Sequence, residues 1–259
     1  MNPALSIITI NFNDSNGLLK TIESVVNQSF IDLEYLIIDG NSTDNSVDVI
    51  KKYENKIAYW ISEPDSGIYN AMNKGIEKAK GEFLLFLNSG DYLVDQHVIS
   101  EIFSIENKPD IILGNLVTKN GYEIKLDFTI NFANIWKYGA HHQAMFIRKS
   151  LFEDIGRYNE NGDITSDWQF LMLALFKFKK KYTYIDKVVS VYDMLGISAD
   201  PGNRKRMDNE KLLFMKKHFN NYSIPILKLT IILRKNYDRL CSIPRRINKI
   251  LSGSRTAKR

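Results

Sequence analysis

Apolar and polar positions follow two alternating rhythms along the first hundred residues. Leu5–Ile10 is an apolar-rich run that predicts a strand, closed by Asn11-Phe12-Asn13-Asp14. Helical spacing follows over about Leu18–Asn27, then a second strand, Tyr35–Ile38, runs into Asp39-Gly40-Asn41-Ser42-Thr43-Asp44. A helix over about Asn45–Tyr53 and a short strand Ala58–Ile61 come next, and Asp65-Ser66-Gly67 opens a helix that continues to about Ala79. Phe83–Leu87 is the most apolar strand of this half; it ends at Asn88-Ser89-Gly90-Asp91, after which Val94–Ile105 returns to helical spacing. Strands alternating with helices in this way predict βαβ units feeding a parallel sheet, an α/β fold.

Polar residues gather after three of these strands, at 11–14, 39–44 and 88–91. The carboxyl ends of parallel strands in an open sheet face one crevice, so the three loops are expected to meet at one ligand site. From about residue 110 the pattern changes to shorter pieces, Ile111–Leu113, Leu116–Thr118, Tyr122–Lys125 and Ala144–Arg148. These fit a mixed, partly antiparallel second half. Asp167–Phe178 reads as an apolar helix, Tyr182–Tyr192 as one or two strands and Arg204–Phe219 as an amphipathic helix.

With 259 residues, 44% of them hydrophobic, the chain can bury a substantial core. Its net charge of +5 is unevenly placed: residues 224–259 hold ten Lys/Arg against one acid, Asp238, leaving 25 basic and 29 acidic residues in 1–223. The expected organisation is a domain over 1–223, changing pattern at about residue 105, followed by a basic amphipathic helical tail at 224–259. Ile224–Leu233 is too short to span a bilayer, which takes about 20 apolar residues. Peripheral contact with an anionic membrane is the expectation for the tail, and a helical hairpin docked on the domain is the alternative. The lone Cys241 and the absence of a basic-then-apolar leader point to cytoplasmic residence, on the inner face of the membrane where the tail attaches.

Four segments carry the chemistry: Ser6–Asn13, Ile37–Asp44, Asp65–Gly75 and Phe86–Asp91. In order, spacing and strand-end placement they resemble the family-2 glycosyltransferases, over about residues 4–195. The resemblance implies a GT-A fold, a mixed and mostly parallel Rossmann-like sheet flanked by helices, with a nucleotide-binding half at 1–105 and an acceptor-binding half at 106–223. It also implies a nucleotide-diphosphate sugar donor, expected to be a UDP-sugar, a divalent cation, Mg²⁺ or Mn²⁺, and inversion at the anomeric carbon. The acceptor expected is a saccharide, most simply a lipid-linked one in surface polysaccharide assembly such as O-antigen, capsule or exopolysaccharide.

Carried over residue by residue, the resemblance places Asp39 on the uracil or ribose, where a carboxylate accepts a base N–H or sugar hydroxyl. Asn11 and Asn13 belong to the first nucleotide loop, which here reads Ile-Asn-Phe-Asn rather than Pro-Thr-Tyr-Asn. Asp65 and Asn73 flank and enter a helix facing the donor; capping and a plain surface position are their respective alternatives. Ser42, Thr43 and Asp44 read as caps of the next helix. Ser89 and Gly90 precede Asp91, the residue expected to hold the metal; the family often has several acids here, and this chain keeps one. One carboxylate with diphosphate oxygens and waters suffices for such a cation.

Asp167, in Thr165-Ser166-Asp167-Trp168, matches the general base that takes the acceptor's proton, with Asp163 as the near alternative and helix capping as the bland one. In His141-His142-Gln143, His142 is favoured slightly over His141 as a contact to the donor phosphates or the cation. No third ligand is spaced for zinc. Trp136, Tyr138, Trp168 and Met194 are aromatic or flexible enough to stack on sugars, but core positions suit most of them.

Three other classes have some support in the sequence. Nucleic-acid binding rests on the basic tail alone, with no helix-turn-helix, zinc finger or aromatic RNA platform. A nucleotidyltransferase would need a basic Gly-rich loop, and residues 11–17 hold Gly17 but no Lys or Arg. A nucleotide-sugar-binding protein without turnover is the third, since Asn88 stands where an acid is common.

Overall fold

A computed structural model describes residues 2–125, 130, 131, 134–136, 139, 141–161, 164–194 and 196–219. The chain divides into two compact units, Met1–Phe128 with Ala140–Lys211, and Thr129–Gly139 with Leu212–Arg259. The sheet and every site residue treated below belong to the first. The expected boundary at 223 and the basic tail lie outside the described residues, as do Tyr138 and Asp163.

The first half alternates as its periodicity requires: β1 (Leu5–Asn11), α1 (Ser15–Val26), β2 (Leu33–Asp39), α2 (Ser46–Lys52), β3 (Tyr59–Ser62), α3 (Ile68–Lys78) and β4 (Phe83–Phe86). All seven residues of β1 are buried, because the strand has parallel neighbours on both edges and helices on its faces. Asp14 starts α1 by accepting the Gly17 N–H (3.0 Å), and α1 lays Leu18, Ile22 and Val25 onto the sheet. Each such side chain removed from water stabilises the fold by about 1.5–3 kcal/mol. Gly75 lets α3 close onto β1: a Cβ there would lie 2.5 Å from Ile8 Cγ2.

The second half departs from its expectation in three places. The helix expected from Val94 begins only at Val98 (α4, Val98–Phe103), after a short strand β5 (Tyr92–Leu93). Asp95 sets that start by accepting the His97 and Val98 N–H groups at 2.7 and 2.8 Å. The two pieces at 111–113 and 116–118 are one strand, β6 (Ile111–Thr118), with register shifts around Asn115. Gly114, within it, allows close approach of the neighbouring strand, since a Cβ would lie 2.5 Å from Val189 Cγ2. After β7 (Glu123–Ile124), β8 (Met145–Arg148) and α5 (Ser150–Asp154), the helix α6 (Ser166–Met172) widens into a π turn at Leu173–Lys177. β9 (Tyr182–Tyr192) is a single strand, and α7 spans Arg204–His218.

The sheet order is β3-β2-β1-β4-β8-β6-β9-β5, with β7 on β6. β1 to β4 pair in parallel; β8 runs antiparallel to both β4 and β6, and β9 is parallel to β6. The direction of each strand decides which end reaches the crevice. The start of β8, with His142 and Gln143 just before it, and the end of β9, with Asp193 just after it, therefore lie at the same edge as the carboxyl ends of β1, β2 and β4. No described helix is long and apolar enough to cross a membrane.

Candidate active site

Asn11, Asp39 and Ser62 end β1, β2 and β3 in one row of the parallel register. Asp39 is fully buried and its two oxygens accept four hydrogen bonds. Asn11 Nδ2 (2.7 Å) and Ser42 Oγ (2.6 Å) donate to Oδ1; the Ser42 N–H (2.9 Å) and Ser62 Oγ (2.6 Å) donate to Oδ2. A carboxylate has about four acceptor positions, so all of those on Asp39 are filled from within the protein. Direct reading of a base or ribose would require displacing one of these donors.

Ser42 is thereby an organiser of the loop and not a helix cap: its hydroxyl also accepts the Asn13 N–H at 2.8 Å. Thr43 likewise donates its N–H to Asn13 Oδ1 (2.8 Å), whereas Asp44 does cap α2, accepting the Ser46 N–H at 3.0 Å. Asn13 and Asn41 take positive φ, 52° and 64°, a conformation Asn tolerates better than most residues. Phe12 between these fixed points is 66% exposed, an aromatic ring left open at the crevice.

Asp65 accepts the Gly67 N–H (2.9 Å) and approaches the β2 loop so closely that a Cβ on Gly40 would lie 2.5 Å from its Oδ2. Asn73 is neither at the surface nor open to a donor. It is buried, its Oδ1 accepts the Tyr158 N–H (3.1 Å), and its Nδ2 donates to Tyr158 O (2.9 Å) and Glu160 Oε1 (2.6 Å). Its polar atoms clamp the loop ahead of α6 onto α3.

The β4 loop is anchored from below. Ser89 donates its N–H to Ile10 O (3.0 Å), Gly90 donates to Thr21 Oγ1 (3.1 Å), and Thr21 Oγ1 donates to Asp91 O (2.6 Å). Asp91 is 2% exposed; Oδ1 accepts the Asp193 N–H (3.0 Å) and Oδ2 accepts Gln143 Nε2 (2.9 Å). Burial pushes its carboxyl above the ordinary value, against the pull of those two hydrogen bonds and of nearby His142. Asp91 thus ties the starts of β5 and β8 to the end of β9. Each of its oxygens accepts one hydrogen bond and keeps a further acceptor position.

His142 and Asp167 form the second centre. His142 Nδ1 lies 3.0 Å from Asp167 Oδ2, while Asp167 Oδ1 lies 2.9 Å from the Tyr69 hydroxyl and accepts the Trp168 N–H at 2.8 Å. Burial is the largest influence on Asp167 and raises its pKa, yet His142, Tyr69 and the Trp168 N–H together hold the carboxyl below its ordinary value. His142 Nε2 is buried and has no protein partner. Trp168 belongs to the core, while Met194, with φ 63°, is 47% exposed beside Asp193.

The sequence reading missed Gln143, Asp193 and Lys119. Asp193 ion-pairs with Lys119, and the two side chains are 12% and 36% exposed. A signal for Asp193 was present, since it follows the apolar end of β9 as Asp39 follows Ile38.

The fit of a divalent cation turns on these residues. No cluster of three His, Cys, Asp or Glu able to hold a metal occurs among the described residues. Yet Asn88 Oδ1 is buried without a partner and Asp193 already holds a cationic group. An amide oxygen and a carboxylate are hard ligands that suit Mg²⁺ or Mn²⁺ completed by diphosphate and water. Asn88, Asp91 and Asp193, on the β4 loop and at the end of β9, include hard oxygens of the kind such a cation takes.

A sequence model described as Glycosyl transferase family 2 matches residues 6–178. The chain belongs to that family. Among its relatives is the PGL/p-HBAD biosynthesis glycosyltransferase of Mycobacterium bovis, 29% identical over 205 residues, covering 75% of this chain and 78% of that one. Staphylococcus aureus TarS 1–349 in complex with UDP shares the fold with a TM-score of 0.63 at 17% identity, over 89% of this chain and 71% of TarS. The mannosyltransferase PcManGT of Pyrobaculum calidifontis, in complex with GDP-Man and Mn²⁺, gives a TM-score of 0.64 at 14% identity, over 84% of this chain and 64% of its own. The architecture of this family-2 member is GT-A, and its membership makes it a glycosyltransferase.

Proposed function

We propose that the chain transfers a sugar, with inversion, from a nucleotide-diphosphate donor, most simply a UDP-sugar, to a saccharide acceptor in cell-surface glycan assembly. One observation carries the reading: two consecutive residues, His142 and Gln143, connect the acceptor-side carboxylate Asp167 to the donor-side carboxylate Asp91. An inverting transfer needs a base on one face of the sugar and a held leaving group on the other.

In this reading the open ring of Phe12 stacks on the base, with Asn11, Asn13, Asp39 and Asp65 shaping the pocket around it. Asn73 acts from behind by holding the loop ahead of α6. Ser89 and Gly90 bring the β4 loop to the diphosphate, and His142 Nε2 takes its missing partner from the substrate. Asp167 receives the acceptor's hydroxyl proton: Oδ2 accepts only from His142 and keeps a lone pair, and the carboxyl is held ionised. A bound Mg²⁺ or Mn²⁺ would neutralise charge growing on the departing diphosphate.

The UDP complex of TarS supports the donor class, the Mn²⁺ complex of PcManGT supports the cation, and the M. bovis relative's name, PGL/p-HBAD biosynthesis glycosyltransferase, supports a role in glycan assembly. The basic residues of 224–259 suit an anionic membrane surface at which such an acceptor resides.

Calorimetric titration with UDP, GDP and dTDP, with and without Mn²⁺, followed by incubation of the matching nucleotide sugars with lipid-linked saccharides, tests the reading. Binding of one nucleotide and release of its diphosphate on transfer are expected. Binding without transfer or hydrolysis would favour a sugar-nucleotide-binding protein, and no binding of any nucleotide would sink the donor site.

A further inference from the structure

Asp167 sits in the first turn of α6, a helix of seven residues that loosens into a π turn directly after Met172. So short an element does not fix its own start, since isolated helices under about 12 residues are marginal in water. Its N-cap residue, Thr165, gives the helix no side-chain cap. The Thr165 hydroxyl is turned instead to Glu210 on α7, donating to Oε2 at 3.2 Å, and the same oxygen accepts the Ile164 N–H at 2.8 Å. Arg206 Nε, one turn earlier on α7, donates to Oε1 at 3.0 Å, so both carboxylate oxygens are engaged and the Glu210 side chain is 12% exposed. Hydrogen bonds to an ionised acceptor are roughly twice as strong as neutral ones.

The grip continues on the other side of the base. Lys211, the next residue of α7, sets its ammonium 4.9 Å from the centre of the Trp168 ring, and Trp168 follows Asp167 in the chain. Consecutive residues of α7 thus hold the chain just before Asp167 and just after it. Tyr69 adds a third point: its hydroxyl lies 2.9 Å from both Ile164 O and Asp167 Oδ1. With one proton for two acceptors, that hydroxyl does not fix Ile164 and Asp167 together, and the segment depends on the Glu210 anchor as well.

We propose that Glu210 is a positioning residue for Asp167: through the Ile164–Thr165 segment it sets where the base carboxylate meets the acceptor's hydroxyl. It acts on the segment and not on the reacting atoms. Glu210 lies beyond residues 6–178, the part matched by the family model, so its role comes from the way α7 of this chain returns to the start of α6. Misplacing a reacting group by about 1 Å can cost about 100-fold in rate, which is why an anchor outside the site governs turnover.

The inference rests on reading Asp167 as the base, and the experiment separates the two. The full chain carrying ¹⁵N-histidine is followed by NMR, and the proton that His142 donates from Nδ1 to Asp167 is assigned by its absence in His142→Ala. Its exchange with solvent reports how firmly Asp167 is held, with no need for turnover. Turnover of UDP-N-acetylglucosamine and of UDP-glucose is followed in parallel as release of UDP. Glu210→Ala is expected to speed the exchange and to lower kcat, each by about ten-fold or more, with donor KM within about two-fold of wild type. Glu210→Gln, whose amide oxygen still accepts the Ile164 N–H, is expected to restore most of both. Ile102→Ala opens a cavity in the core on α4 and lowers the melting temperature without touching this segment; it is expected to leave exchange and kcat near wild type.

An unchanged kcat in Glu210→Ala, or an equal loss in Ile102→Ala, overturns the positioning role and leaves the base reading standing. Where Glu210→Ala does not fold, Thr165→Val, which removes the hydroxyl that reaches Glu210, is measured in its place, and exchange at the wild-type rate overturns the proposal. Wild-type turnover in Asp167→Asn overturns both readings. If the wild type releases no UDP from either sugar, the exchange rate decides alone: faster in Glu210→Ala supports the anchor, and unchanged overturns it.

Discussion

His142 Nδ1 and Asp167 Oδ2 stand 3.0 Å apart, with Tyr69 and the Trp168 N–H on the other carboxylate oxygen. Because these partners hold the Asp167 carboxyl below its ordinary value, the base is ionised through the neutral range, and activity should fall only where acid protonates it. Removing His142 takes away the hydrogen bond and charge that most strongly oppose burial. In His142→Ala the acidic limb of kcat/KM for donor turnover is therefore expected to move to higher pH. A limb that stays in place would show that another group takes the proton. Asp167→Asn should lower kcat by about 10²–10⁴-fold, the usual worth of general-base catalysis.

The same depressed pKa has a stability consequence of fixed sign. A carboxyl lowered on folding stabilises above its unfolded pKa, and that contribution is lost as pH falls through the folded value. Urea denaturation of wild type and Asp167→Asn should therefore give stabilities that converge as the pH is lowered toward 3.

Asp39→Ala is expected to destabilise the chain by about 2–4 kcal/mol, since several donors at the strand ends lose their acceptor at once. Asp65→Ala removes one exposed cap and should cost under about 1 kcal/mol. Chemical denaturation of the two variants checks the contrast, and equal losses would mean that the Asp39 network is not the tie it is described as.

Gln143→Leu leaves Asp91 Oδ2 buried without its side-chain donor. A loss of about 1–3 kcal/mol in unfolding free energy is expected, measured by urea titration at neutral pH. Because Ser190 Oγ also donates to Gln143 O (2.8 Å), the backbone of this turn should stay in place, and the loss should shrink at a pH low enough to protonate Asp91.

Gly75→Ala puts a methyl group against Ile8 between α3 and β1. Overpacking of this kind costs about 1–3 kcal/mol, readable as a lower melting temperature. An unchanged melting temperature would show that α3 shifts freely.

The strand–helix order of the first half was legible because buried parallel strands must be apolar throughout and their loops polar. Asp39 and Asp91 stand in those strand-end loops, whereas His142 and Asp167 are named through the resemblance to family-2 glycosyltransferases. What could not be read was which of them remains open. Asp39 is closed by Asn11, Ser42 and Ser62, while Asp91 is held by Gln143 and the Asp193 N–H, and such pairing is a property of register and strand direction. Asn73 reads as a donor contact, with a helix-surface position as the alternative, because its partners, Tyr158 and Glu160, are 85 and 87 residues away.

The reversed direction of β8 has a kinetic meaning. It delivers two adjacent side chains to two different carboxylates, His142 to Asp167 and Gln143 to Asp91, so a displacement of the turn at 142–144 moves both contacts together. A sugar nucleotide settling against the Asp91 side would set the aim of His142, and through it Asp167, before the second substrate arrives. Such a wiring favours compulsory order over random encounter, with the donor first and the base brought to bear only afterwards.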